Sequence, residues 1–426
     1  MVVASGPRER VTPARRAAFA VLRRVFEQGA YADRALHREA KELDTRERAF
    51  AMQLAFGTVQ RKLSLDHMIE QLARPVDELD PPTLAALRLG LYQLAFLDGG
   101  GTHAVVGESV ELAKSGQGGG HKLVNAVLRR ATRELPRLPS DDTPAGAAVA
   151  HSYPPWLVEL WWELYGADDA RALLRRGNEA AEVALRANAL VMTRDELAAA
   201  LPVDTHPADE LPEGLVVDGP FDAHGHELWR AGAYATQSRA AMLVARTLDP
   251  QPGERVLDLC AAPGGKTTHI SALMGATGAI VAVERHAGRA AALERTCERM
   301  GAHNVTVEIG DAARFHATEP FDRVLVDPPC SGLGTLQGHP DLRWRVTPAA
   351  IETMAVSQSD ILRAAVAALR PGGTLVYSTC TLSPRENEQQ VLIGGLRLES
   401  ERLVLPHRDR TDGFYIARAT REPVKP

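Results

Sequence analysis

The stretch VLDLCAAPGGKTT, Val256 to Thr268, confines the fold more than any other part of the chain. A short apolar run ends on an acid, turns through paired glycines and enters a helix-forming segment. That is the signature of a strand-to-helix crossover whose backbone approaches a ligand closely. From residue 236 onward the same alternation repeats. Apolar runs at Arg255–Leu259, Ala279–Glu284, Val305–Ile309, Arg323–Asp327, Thr374–Ser378 and Phe414–Ala417 read as strands, with helices near 267–274, 287–300 and 351–370. Strands spaced by helices predict a doubly wound α/β sheet, with its ligands at the C-terminal strand ends.

The preceding part reads differently. Thr12 and Pro13 form a helix start, followed by Ala18, Val21, Leu22 and Val25 on one face. Asp80 with Pro81 and Pro82 opens a second helix, with Leu84, Leu87, Leu91 and Leu94 as its face. A third runs from about Lys122 to Leu135, with Val124, Val127 and Leu128 inward and Arg129, Arg130 and Arg133 outward. Ser115–Gly120 reads as a flexible connector, and Leu138–Pro155 as a linker. A helix is expected from Trp156 to about Tyr165 and a strand near Val183–Leu190, while 195–235 gives no clear pattern. The predicted organisation is an all-α domain over 1–140, a small mixed α/β connecting domain over 150–235, and the α/β sheet over 236–426.

Composition excludes several classes. No run approaches the roughly 18 apolar residues of a membrane span, and the first residues lack a signal-peptide core. A cytoplasmic, monomeric protein that avoids membranes is expected. The four cysteines, Cys260, Cys297, Cys330 and Cys380, form no CxxC pair, which argues against a metal site or a disulfide scaffold. Net charge is −5, yet residues 1–140 hold 21 Lys+Arg against 16 Asp+Glu. The opening segment alone carries Arg8, Arg10, Arg15, Arg16, Arg23 and Arg24. The asymmetry fits either an RNA-facing module or a solvated basic face.

Two nucleotide readings compete for the glycine turn. A P-loop needs glycine at position 260, where Cys260 stands, and Pro263 also breaks its pattern. The alternative is an adenosine-type cofactor without phosphates. Glu284, 20 residues after Gly264, suits ribose hydroxyls, and Asp311 suits the adenine amino group or a neighbouring loop. Together they favour S-adenosylmethionine.

Cys330 follows the fourth expected strand and Cys380 the fifth. Adjacent strands bring both thiols to one cleft, unless both are buried bystanders. Paired thiols beside a methyl donor fit methylation of a pyrimidine at carbon 5, where a thiolate adds to carbon 6 and makes carbon 5 nucleophilic. Asp327-Pro328-Pro329-Cys330 is then a stiff loop presenting a carboxylate and a thiol to one base.

The motifs DLCAAPGGKTTH, VLVDPPCSGLGTL, HPDLRW, YSTCTLSPRENE and DGFYIAR resemble the RNA cytosine carbon-5 methyltransferases, whose sheet is the Rossmann-like class I methyltransferase fold. LRLGLYQLAF and VNAVLRR resemble the NusB-type RNA-binding domain, and the combination is similar to the Sun/RsmB-type enzymes acting on small-subunit (16S) ribosomal RNA. The resemblance implies Cys380 as nucleophile and Cys330 as an aid to product release. It also implies S-adenosylmethionine held by Cys260, Ala261, Ala262, Pro263, Gly264, Gly265, Lys266, Glu284, Asp311 and Asp327, with Lys266 and Asp327 within reach of the base. Gly107, Ser238 and Gly338 depart from the family pattern. The rival expectation is an RNA-binding factor with an inactive methyltransferase half.

Overall fold

The computed structural model describes residues 11–98, 101–116, 119–391 and 394–423. The chain divides into two compact units. One holds residues up to Glu179 together with the later segment Leu336–Arg345; the other holds Ala180–Thr335 and the chain from Val346.

The first unit is helical: α1 (Pro13–Gln28), α2 (Ala32–Glu39), α3 (Thr45–Gln60), α4 (Lys62–Leu72), α5 (Pro81–Phe96), α6 (Thr102–Ala113), α7 (Gly120–Ala131), α8 (Pro144–His151) and α9 (Pro155–Arg176), the last kinked at Gly166. Ala18, Val21, Leu22 and Val25 of α1 are all buried, as their spacing predicts. Thr12 does not cap α1 with its side chain; its hydroxyl donates to Glu108 instead. The single apolar face expected for α5 is too narrow. This helix packs against α1, α3, α4, α6 and α7, so Ala85, Ala86 and Leu89 are buried as fully as Leu87 and Leu91. Gly90 lets Leu128 pack close there, since a β-carbon would push against the end of that side chain. Leu138–Pro155 is not merely a linker: Thr143 caps α8 by accepting from the Gly146 amide, and Pro144 presets its first turn.

The basic opening helix is largely neutralised from within. Arg15 is buried and donates to Gln93 and Glu108; Arg23 pairs with Glu27, and Arg24 with Glu39. Arg8 and Arg10 lie outside the described residues. Arg129, Arg130 and Arg133, at the end of α7 and just beyond it, stay exposed. Of the connector Ser115–Gly120, residues 117 and 118 also lie outside the described residues.

Leu336–Arg345 is built into this helical unit. Arg343, 0% exposed, donates to the carbonyls of Gln60, Ser152 and Gly177 and to Asn178 Oδ1. Its guanidinium lies 4.0 Å from the Tyr153 ring centroid. Trp344 donates to the Val59 carbonyl, and Asp341 accepts from the Ala32 amide and from Arg345.

The second unit carries two sheets. The smaller is antiparallel in the order β2-β3-β1-β4, from β1 (Ala184–Ala187), β2 (Thr205–Pro207), β3 (Gly214–Val217) and β4 (Tyr234–Thr236), with α10 (Arg194–Ala200) and α11 (Glu227–Arg230) between its strands. It accounts for the region 195–235 that has no clear sequence pattern. The larger sheet follows α12 (Arg239–Leu248). Its strands are β5 (Arg255–Leu259), β6 (Ala279–Glu284), β7 (Val305–Ile309), β8 (Phe321–Val326), β9 (Leu369–Thr379), β10 (Leu396–Val404) and β11 (Phe414–Arg421), in the order β10-β11-β9-β8-β5-β6-β7. β5 to β9 run parallel; β11 and β10 are antiparallel additions. Helices α13 (Gly265–Leu273), α14 (Ala287–Arg299) and α16 (Pro348–Ala368) connect the strands; α15 (Leu342–Arg345) lies in the segment built into the helical unit, and α17 (Pro406–Asp409) precedes β11. Successive residues of β5 feed opposite cores: Leu257 and Leu259 pack toward Ile361 and Leu362 of α16, and Val256 toward Val244 and Leu248 of α12. This is the doubly wound, Rossmann-like sheet expected from the sequence. Strand order reverses between β5 and β8, so the crevice at their C-terminal ends is where such a sheet takes a ligand. Among the described residues no helix is long and apolar enough to cross a membrane.

Candidate active site

β5 delivers Leu259 to the sheet edge, and Cys260 then turns the chain with a φ of 69°. Asp258, 1% exposed, accepts from the Thr267 hydroxyl at 2.6 Å and so ties strand to helix. Burial, with the charge of Asp327 adding to it, pushes the Asp258 carboxyl up to about 7. Gly264 caps α13 with a φ of +104°, and a β-carbon there would meet Leu293 and Thr296. Gly264 therefore serves close helix packing, whereas Gly265 opens onto free space. Arg186 of β1, fully buried, donates to Thr268, to the Gly265 carbonyl and to Gln237, which fixes the first turn of α13.

A cleft of about 320 Å³ opens over the strand ends. Cys260, Ala262, Lys266, Glu284, Asp311, Asp327, Cys330 and Cys380 all line it. Ala261, Pro263 and Gly265 line an adjoining depression shared with Lys266 and Asp327; Gly264 lines neither. Ser238, one of the departures from the family pattern, caps α12 by accepting from the Ala241 amide.

The two sides of the cleft differ in chemistry. On one, Glu284 is 3% exposed; one carboxylate oxygen accepts from the His286 amide and the other lies 3.4 Å from Arg289. Asp311 accepts from the Ala313 amide, which orients its loop. A buried carboxylate at the end of β6 and an ordered acid after β7 fit a ribose and an adenine edge, so these residues suit an adenosine cofactor. On the other side, Lys266 Nζ lies 2.6 Å from Asp327 Oδ2, and Ser378 donates to Asp327 Oδ1 at 2.8 Å. Cys330 Sγ lies 3.3 Å from Cys380 Sγ. The hydrogen bond to Cys380, then burial, raise the Cys330 thiol well above the usual range, with Glu386 adding to the effect. Cys260 is pushed up to about 12, chiefly by burial, so it is a neutral wall of the cleft and not a nucleophile. Cys297 lies buried in α14, away from the cleft lining.

Two polar residues behind the thiols have no counterpart in the sequence reading. Glu386 accepts from the amide and hydroxyl of Ser331 and from Gln358, and Asn387 donates to the Thr381 carbonyl while accepting from Thr379. Their sequence signal is membership of the motif YSTCTLSPRENE, six and seven residues beyond Cys380, which assigns them no role.

Comparison with known proteins agrees with this architecture. Residues 245–394 match the 16S rRNA methyltransferase RsmB/F family, residues 12–133 the NusB family, and residues 153–224 the ferredoxin-like domain of RsmF/B-like methyltransferases. A probable ribosomal RNA small subunit methyltransferase B from Synechocystis is 38% identical across 95% of this chain and 98% of its own. One from Bacillus subtilis is 34% identical across 89% and 91%. The crystal structure of PH0851 superposes with a TM-score of 0.82 at 25% identity, covering 96% of this chain and 99% of that one. All three parts of the chain are thus matched in the same order, and the chain belongs to the RsmB/F family of S-adenosylmethionine-dependent 16S rRNA methyltransferases.

Proposed function

We propose that this chain methylates carbon 5 of a cytosine in 16S rRNA through a covalent bond between Cys380 and carbon 6 of the base. The observation that carries the reading is the pair of sulfurs 3.3 Å apart, in the cleft that also holds the Lys266–Asp327 pair. The target base enters unstacked, because a ring held in a duplex cannot expose carbon 6 to a thiolate.

Cys380 adds to carbon 6, forming an S–C bond and moving the ring's electron pair to carbon 5. S-adenosylmethionine, when bound, supplies an electrophilic methyl group. Carbon 5 takes that methyl, loses its proton to water, and the S–C6 bond breaks, returning the electron pair to Cys380. Cys330 retains its hydrogen, so it is fitted to donate to the departing sulfur and unfit to be the attacking thiolate. Asp327, oriented by Lys266 and Ser378, presents an acceptor to the amino edge of cytosine. Glu284, Asp311 and the Cys260–Lys266 turn hold the cofactor. The helical residues 1–140 grip RNA through the exposed Arg129, Arg130 and Arg133, residues 150–235 connect, and 236–426 catalyse.

The test is methyl transfer from labelled cofactor into 16S rRNA, with the product nucleoside separated. Label in 5-methylcytidine, lost in Cys380→Ala, is the expected result. Label in any other nucleoside, or undiminished transfer by Cys380→Ala, overturns the proposal.

A further inference from the structure

The strand ends alone do not explain the 3.3 Å approach of the two sulfurs. Cys330 and Cys380 sit on separate loops, after β8 and β9. Something must hold those loops together against the solvent of an open cleft. The two residues that follow the thiols, Ser331 and Thr381, are buried at 2% and 0% exposure, and their hydroxyls meet at 2.6 Å. Behind them stands Glu386, itself 0% exposed. Its Oε1 accepts from the Ser331 amide at 2.9 Å and from Gln358 at 3.1 Å. Its Oε2 accepts from the Ser331 hydroxyl, with Thr381 at 3.4 Å. The next residue, Asn387, takes the other loop on both sides of the nucleophile: it donates to the Thr381 carbonyl at 3.1 Å and accepts from Thr379.

We infer that Glu386, with Asn387 beside it, is the positioning residue that fixes the two active-site thiols against each other. This rests on the reading of Cys380 and Cys330 as the reacting pair. The physical case is the cost of the carboxylate. Among the described residues no cation pairs with Glu386, so its burial is repaid by hydrogen bonds. An amphipathic turn could have closed this corner with apolar groups and avoided that cost. A carboxylate is retained where its acceptors fix a geometry, and here they fix Ser331, the residue bonded to Cys330. The negative charge also acts on Cys330, adding to the effects that keep its hydrogen in place. The position of Cys330 is thus governed by one side chain that does not line the cleft.

The spacing can be read without turnover. Diamide takes two hydrogens and two electrons from a pair of neighbouring thiols and leaves a disulfide, and peptide mapping identifies the Cys330–Cys380 link. The wild type should close this bond rapidly. Glu386→Ala should close it at least about tenfold more slowly, and Glu386→Gln, which keeps the Oε1 acceptor, should stay near the wild-type rate. In parallel, kcat for methyl transfer should fall about 10²-fold in Glu386→Ala, with affinity for S-adenosylhomocysteine unchanged and Glu386→Gln largely restored. Retained S-adenosylhomocysteine affinity reports that the sheet is folded; should Glu386→Ala fail that control, Asn387→Ala gives the same two readouts from the other loop. Wild-type crosslinking rates in a folded Glu386→Ala protein, or no Cys330–Cys380 link in the wild type, overturn the inference. Slow crosslinking combined with label in a nucleoside other than 5-methylcytidine would sustain the clasp and sink the thiol chemistry instead.

Discussion

Lys266 Nζ and Asp327 Oδ2 meet at 2.6 Å across the C-terminal ends of two neighbouring parallel strands, β5 and β8. Burial disfavours the ammonium, but the charge and hydrogen bond of Asp327 outweigh it and raise the Lys266 pKa. The lysine therefore stays cationic at neutral pH. Asp327→Asn keeps the shape and removes the charge that holds the lysine. Single-turnover methyl transfer should slow by about 10²–10³-fold, the scale of losing one organised electrostatic contact in an active site. A rate within a few-fold of wild type would make the pair structural.

Cys380→Ala and Cys330→Ala should fail at different steps. Without Cys380 no bond to RNA forms. Without Cys330 addition and methylation proceed while elimination stalls, so protein and methylated RNA remain joined. A denaturing gel after incubation with RNA and cofactor should show a slow band for Cys330→Ala and none for Cys380→Ala or the double variant. A band on Cys380→Ala alone would exchange the two roles.

Glu284 is the buried acid at the end of β6. Glu284→Ala should weaken binding of S-adenosylhomocysteine by about 1.5–3 kcal/mol, the range for a hydrogen bond to a charged group. RNA affinity should not change. Calorimetric titration gives the first quantity; unchanged cofactor affinity would remove Glu284 from the site.

Arg343→Ala should destabilise the helical unit strongly. It strands three buried carbonyls and the Asn178 side chain, and removes the cation from the face of Tyr153. A loss of at least about 3 kcal/mol is expected from unsatisfied buried acceptors alone. Urea unfolding followed by far-ultraviolet dichroism measures it, and a loss below about 1 kcal/mol, the centre of ordinary substitutions, would contradict the role.

His269, 1% exposed, lies 2.6 Å from Glu213 and close to Arg186 and Arg246. Burial, then the charge of Arg186, lower its pKa from 6.5 to about 4. Between those values the unfolded chain binds a proton that the folded chain refuses. The stability this represents is present above pH 6.5 and is lost as the pH falls toward about 4. Glu213, whose own pKa is lowered despite its burial, loses stability in the same direction at still lower pH. His269→Gln removes the titrating ring, so the stability gap between wild type and variant should shrink by up to about 3 kcal/mol from pH 7 to pH 4. A gap independent of pH would mean that the folded protein admits the proton.

The inner parallel strands β5, β6, β8 and β9 were legible because each carries an apolar run largely buried on both faces, and their ends carry acids and both thiols of the cleft, whereas β7 lies at the sheet edge with Ile309 exposed. β10 left no such trace. It is an edge strand, exposed along nearly all of LRLESERLV, and its Arg and Glu side chains read as loop. Of the small sheet only β1 was expected; β2, β3 and β4 escaped for another reason, since strands of three and four residues are too short to show a period. Thr12 looked like a cap by residue type, but its partner, Glu108, lies 96 positions away. Glu386 and Asn387 lie inside the motif YSTCTLSPRENE, yet their role was hidden for the same cause. Their meaning lies in which loops they reach, and local spacing does not encode that. The basic opening helix misled in the opposite sense, since net charge counts arginines without their carboxylate partners.

Leu336–Arg345 gives the helical unit a piece of chain made long after its own helices. On a ribosome, α1 to α9 emerge first, and the side chains of Arg343 and Trp344 that donate to the carbonyls of Gln60, Val59, Ser152 and Gly177 appear only later. At usual elongation rates that wait lasts on the order of 10–30 s. The helices are therefore born into an incomplete fold, and the helical unit reaches its final stability only once most of the catalytic sheet has been translated.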